Sequence, residues 1–193
     1  MGSLGTNKNI KVTESLHAPN LPWNKREDYL KTLGFSDRDA ELLSQVLPVY
    51  IQNPNRVSNY TNLIDSFIQK SPKFTGTVFR GIVTDKEYKV GDTLAENKIS
   101  SWTSEQQVAR EYSGSADYES QNAWNIGKGQ HAVIFVAENV GGTSISRFHG
   151  AGKEKYHKEV ITPSSNQYII SRVEKRTEGR RDIEVQYVYV KRR

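Results

Sequence analysis

Hydrophobic positions fall on a helical period in the first third of the chain and on a strand period in much of the rest. Ala40, Leu43, Val46 and Leu47 recur at three- and four-residue spacing, the pattern of a helix that buries one face. Ser36 stands before them as a side-chain cap, and Asp37 and Asp39 suit the positive first turn. Pro48 predicts an end or a kink, because proline lacks the N–H and crowds the turn before it. A second helix is predicted over residues 57–70, with Tyr60, Leu63, Ile64, Phe67 and Ile68 on one face and Pro72 as its stop.

After Pro72 the texture changes. Residues 77–83, 131–136, 159–162 and 183–190 are rich in β-branched and aromatic residues and read as strands. The last alternates, with Ile183, Val185, Tyr187 and Tyr189 on one face. Long polar loops are expected at residues 114–130 and 147–158, and loops of that length are usually functional or disordered. Residues 1–25 read as a polar arm bent at residues 17–22. Residues 26–193 read as one domain, helical over 26–72 and β-rich over 73–193. The fold class is α+β.

Composition narrows the chemistry. The chain has 193 residues, 35% hydrophobic and 25% charged, with no cysteine, so disulfides, thiolate metal sites and a cysteine nucleophile are excluded. Four histidines show no ligand spacing, and no metal is expected. No apolar run is long enough to span a membrane, and the N-terminal residues lack the apolar core of a signal peptide. A cytoplasmic working place, in the producing or a target cell, is therefore expected, with no membrane partner. The net charge is +5. Part of the excess lies in residues 172–193, which favours phosphate-bearing ligands or nucleic acid.

Three segments carry candidate chemistry. Arg80 and Gly81 follow Val78-Phe79: a guanidinium near a strand end suits a phosphate, and a glycine beside it allows close approach to the backbone. Alone, Arg80 reads as an edge-strand arginine paired with a surface acid. Ser101 and Thr103 alternate on a strand and face one side. Ser104 and Gln107 then read as a capping box, opening a helix with Val108, Ala109 and Tyr112 on its apolar stripe. Glu159 sits where a polar loop enters the apolar strand Glu159-Val160-Ile161-Thr162, and alone it reads as a loop-end acid.

Taken in order, Arg80, Ser101-Trp102-Thr103 and Glu159 resemble the mono-ADP-ribosyltransferases of the clostridial, cholera-like and phage branch. The resemblance covers roughly residue 77 to the C-terminus. It implies a helical N-terminal segment packed on a two-sheet β core, and an enzyme that uses NAD+ as donor. Glu159 would be the catalytic carboxylate, oriented by Ser101 with Thr103. Arg80 would grip the donor's phosphates or the adjoining ribose, the Gly81 backbone would meet the nicotinamide amide, and Tyr112 would pack near its ring. Tyr118 and Trp124 would cover the donor, while Phe148 and His157 would present the acceptor. His157 departs from the pattern, where Gln or Glu stands two residues before the catalytic acid. This departure weakens an arginine target, and with the basic segment it favours nucleic acid, RNA or DNA, over a protein side chain. A toxin or effector role is implied, with an antitoxin or immunity partner as a further expectation. The reading from a different class is a non-enzymatic basic nucleic-acid-binding module.

Overall fold

The computed structural model describes residues 13–14, 16–115, 126–150, 158–179 and 182–193. Three helices come first: α1 (Trp23–Thr32), α2 (Asp37–Gln52) and, after a 3-10 segment at Pro54–Tyr60, α3 (Thr61–Lys70). Ser36 caps α2 as expected, accepting the Asp39 N–H at 3.2 Å. Pro48 does not end α2, which runs four residues further to Gln52. Packing overrides the local cost here, because Tyr50, beyond the proline, is 3% exposed. The second predicted helix is divided in the structure: Pro54–Tyr60 is 3-10, and only from Thr61 does the α-helix carry Ile64, Phe67 and Ile68 into the core.

The strands are β1 (Thr13–Glu14), β2 (Lys73–Phe74), β3 (Thr77–Thr84), β4 (Thr93–Ala95), β5 (Ser100–Thr103), β6 (His131–Glu138), β7 (Thr143–Ser144), β8 (Glu159–Thr162), β9 (Gln167–Glu178) and β10 (Ile183–Arg192), with helix α4 (Gln106–Ser113) between β5 and β6. β1 pairs with β2, so the expected polar arm is tied to the body at residues 13–14, and α1 begins three residues before the predicted helical region. The remaining strands join in the order β4-β9-β10-β6-β3-β5-β8-β7. Only β10 and β6 run parallel in that sheet. The join between β3 and β5 is a single residue pair, Phe79 opposite Thr103. It divides the sheet into a five-strand half and a three-strand half, which is the expected α+β, two-sheet core.

Three apolar clusters hold these parts. One lies between α1–α3 and the inner side of the three-strand half, through Leu43, Leu47, Phe67, Ile99, Ile145 and Ile161. A second, with Val78, Trp102, Phe135, Tyr168 and Val188, covers one face of the five-strand half. The third packs α4 on the opposite face, through Ala109, Ile134, Val185 and Tyr187. β10 is therefore buried on both sides: Ile183, Val185, Tyr187 and Tyr189 face α4, while Val188 and Val190 face the second cluster. Among the described residues no helix is long and apolar enough to cross a membrane.

α4 crosses β3 at Gly81, and the two backbones nearly touch. A Cβ built on Gly81 would stand 1.9 Å from the Ala109 carbonyl oxygen and 2.8 Å from the Ser113 nitrogen. Both obstacles are helix backbone, so no side-chain rotation relieves the clash. Gly81→Ala is therefore expected to cost about 3 kcal/mol, read as a drop of several degrees in the thermal midpoint. An unchanged midpoint would contradict this packing.

Candidate active site

A cavity of about 510 Å³ opens where the two halves of the sheet part. That is within the usual range of small-molecule sites. β3 brings Arg80 and Gly81 to it, β5 brings Ser101 and Thr103, α4 brings Val108, Ala109 and Tyr112, and β8 brings Glu159. The wall opposite comes from the end of α2 and the 3-10 segment, with Tyr50, Asn55 and Ser58.

Glu159 opens β8, directly opposite Thr103 in β5. The residue before it, Lys158, has φ of 45°, a left-handed conformation uncommon for a side chain with a Cβ. That turn brings the chain sharply into the strand. The half-buried Glu159 accepts the Ser101 hydroxyl on Oε1 at 2.7 Å, and the Tyr50 hydroxyl meets Ser101 Oγ at 2.9 Å. Burial pushes the Glu159 carboxyl up to about 7, and the Ser101 hydrogen bond pulls against that shift. Burial also raises the Tyr50 phenol well above its usual range, so it is a neutral hydrogen-bonding group at any working pH.

Arg80, with 31% of its side chain exposed, lines the same cavity, and its Nη1 lies 3.6 Å from Glu96 Oε1. The guanidinium and the Glu159 carboxylate thus border one space from opposite halves of the sheet. Thr103 is buried, and its hydroxyl accepts the Glu105 N–H at 3.1 Å. Tyr112 is 51% exposed at the rim. Gly81 borders the cavity, but its missing side chain serves the contact with α4.

Two expectations are corrected. Ser104 and Gln107 form no capping box: α4 starts at Gln106 without a side-chain cap, and the Ser104 hydroxyl instead meets His17 Nε2 at 2.8 Å. Phe148 does not face an acceptor. It is fully buried and packs edge-on against Phe67 with ring centres 5.6 Å apart, inside the helical core. His157, Tyr118 and Trp124 lie outside the described residues.

Several groups around the site carry no local motif. Tyr50 lies past Pro48, and nothing local marks a tyrosine that reaches a serine 51 positions away. Glu96 stood in a polar stretch without a pattern. His17 was read as part of a bend. Its ring bridges Ser144 Oγ at 2.6 Å and Ser104 Oγ at 2.8 Å. Burial, with the charges of Lys158 and His149, lowers it to about 4, so it is a neutral brace between β7 and the β5–α4 turn. Among the described residues no group of three or more His, Asp and Glu side chains is arranged to hold a metal ion.

No family model matches the chain, and no curated protein matches its sequence. Solved structures do match its shape. The Vis toxin, an ADP-ribosyltransferase from Vibrio splendidus, superposes with a TM-score of 0.54 at 18% identity, over 93% of this chain and 89% of that one. Plx2a, an ADP-ribosyltransferase toxin from Paenibacillus larvae, gives 0.52 at 10% identity over 92% and 100%. Exoenzyme S from Pseudomonas aeruginosa, solved with human 14-3-3 protein beta and carba-NAD, gives 0.53 at 12% over 86% and 78%. The chain thus has the fold of the ADP-ribosyltransferases.

Proposed function

We propose that this chain is an NAD+-dependent mono-ADP-ribosyltransferase with Glu159 as its catalytic carboxylate. The observation that carries the reading is the Ser101–Glu159 hydrogen bond at 2.7 Å in a cavity that Arg80 also lines. In the reaction the bond between nicotinamide and C1′ of the ribose breaks, and nicotinamide leaves with the bonding pair. Positive charge develops on C1′ and the ring oxygen, as in glycoside cleavage. A carboxylate fixed in a partly water-excluded cavity stabilises that charge more than water does. The acceptor's nucleophile then bonds to C1′ and gives up its proton. Ser101 holds Glu159 in place and favours its ionised form, and Tyr50 holds Ser101. Arg80 would bind the donor's phosphates.

In this reading the acceptor is a protein side chain or a small molecule. The described part of the basic segment that favoured nucleic acid lies mainly on β9 and β10, separated in the sheet from β8 by β6, β3 and β5. Its charges are also partly matched locally: Arg172 and Arg176 pair with Glu174 at 3.0 and 2.7 Å, and Lys175 with Glu184 at 3.8 Å. The Vis protein has been solved with agmatine, which makes that compound a direct acceptor to try, and a toxin or effector role agrees with the toxins that share this shape. Labelled NAD+ offered with agmatine, protein, RNA and DNA in separate reactions decides the acceptor. Label confined to nucleic acid reverses this assignment.

Four outcomes test the site. Glu159→Gln should lower nicotinamide release from NAD+ by about two to three orders of magnitude while NAD+ binding persists; release at the wild-type rate removes Glu159 from the mechanism. In the wild type, kcat/KM should fall as pH drops through about 7, where Glu159 takes up its proton. Ser101→Ala removes the donor that favours the ionised form, so that acid limb should move to higher pH; a limb that stays in place contradicts the role given to Ser101. Stability should respond in the opposite sense. The folded state holds the Glu159 proton more tightly than the unfolded state, so wild-type stability falls as pH rises from about 4.5 to about 7. Glu159→Gln escapes that loss, and at pH 8 it should be the more stable by on the order of 2 kcal/mol, with the gap closing below pH 4.5, the usual value of the group.

A further inference from the structure

Arg80 borders two cavities. Besides the one that holds Glu159, it lines a second of about 240 Å³ with Ile82, Tyr88, Phe135 and Tyr168. On β3 it alternates with Phe79 and Gly81, which face α4, and so shares the face of Val78 and Ile82. A long arginine on that face has room on either side, so backbone position alone does not fix where its guanidinium rests. Placing a rotamer-rich side chain for phosphate binding costs entropy unless something already holds it.

We infer that Glu96 is a positioning residue that holds the Arg80 guanidinium at the junction of the two cavities, aimed for the donor's phosphates. The inference rests on the phosphate-binding role proposed above for Arg80. Glu96 follows β4 and is followed by Asn97, whose φ of 58° turns the chain toward β5. The Glu96 N–H donates to the Asn166 carbonyl at 3.2 Å, fixing its backbone. Its carboxylate is almost out of solvent, with 6% of the side chain exposed. Oε1 accepts the Trp102 indole N–H at 3.1 Å, and Oε2 accepts the Thr162 hydroxyl at 2.9 Å. Arg80 Nη1 approaches Oε1 at 3.6 Å. Burial raises the Glu96 carboxyl, while the Thr162 hydrogen bond and the Arg80 charge pull it back. Neutral partners on the strands, Trp102 and Thr162 together with the Tyr168 hydroxyl, therefore fix the anion, and the anion fixes the cation. One face of the guanidinium is held, and its remaining N–H groups stay available to a phosphate.

The local geometry also supplies a clean probe. Glu96→Gln keeps the network: the amide oxygen accepts from Trp102, the amide nitrogen donates to the Thr162 oxygen, and that hydroxyl turns fully to the Ser100 carbonyl, which it already meets at 3.3 Å. The Trp102 and Thr162 contacts thus survive while the charge is lost. In the full chain without ligand, the 15Nε order parameter of Arg80 measured by NMR, assigned with Arg80→Lys, should be high in the wild type and fall in Glu96→Gln. In nicotinamide release, Glu96→Gln should raise KM for NAD+ about tenfold with kcat much less affected. In an Arg80→Gln background the same change should add nothing, because the effect passes through the guanidinium. An Arg80 equally ordered in both proteins, or a KM effect of equal size without the guanidinium, overturns the inference, as does a loss of thermal stability with KM unmoved. Should the wild type release no nicotinamide at all, the proposed function fails while the NMR comparison still decides the role of Glu96.

Discussion

The candidate site exists because two strands almost fail to pair. β3 and β5 meet at one position, Phe79 opposite Thr103, and beyond it their backbone edges diverge. A continuous ladder there would close the space that Arg80 and Glu159 border. The strands are held at this angle from outside the ladder. α4 presses on β3 through the Gly81 crossing, and the helical cluster presses on the three-strand half through Ile145 and Ile161. The N-terminal segment adds a brace through His17. The cleft is therefore a product of packing on both halves, with one backbone contact as its hinge point.

Two carboxylates lie near Arg80, Glu159 in this cleft and Glu96 in the adjoining smaller cavity, and both are raised by burial. Their surroundings differ in kind. Glu96 has the Trp102, Thr162 and Tyr168 groups and a guanidinium about it, an arrangement that compensates its charge and suits it to an anchor. Among the described residues Glu159 has the Ser101 hydroxyl as its donor and open cavity beside it, which compensates its charge less. A carboxylate left wanting positive charge is suited to a cation that forms only during reaction. The same difference explains why one acid is assigned to holding and the other to chemistry.

Much of the framework was legible in the chain. Ser36 and the apolar spacing of α2 mark a helix because capping and burial act within a few residues. β6 and β8 announce themselves as apolar runs. Arg80, Ser101 and Glu159 drew notice as an ordered set, and they do border one cavity. What stayed hidden depends on contacts across the fold. β9 reads as a charged tail because its outward positions carry Arg, Lys and Glu, and it becomes a strand only by pairing along the length of β10. Pro48 predicts an end or a kink, and tertiary packing carries the helix on to Gln52. Ser104 looks like a cap until His17 takes its hydroxyl, and Phe148 sits in a polar stretch yet fills the helical core. Tyr50 and Glu96 have no local signature, since each acquires its role from a partner far off in sequence.

A co-crystal structure with carba-NAD+, whose ribose is replaced so that the nicotinamide bond resists cleavage, tests the central claim most directly. The account predicts the analogue across the β3–β5 joint, with the Glu159 carboxylate within about 3 Å of the hydroxyl next to the scissile carbon and the Arg80 guanidinium on the diphosphate. An analogue bound away from that joint, or one whose reacting carbon lies beyond reach of Glu159, would contradict it.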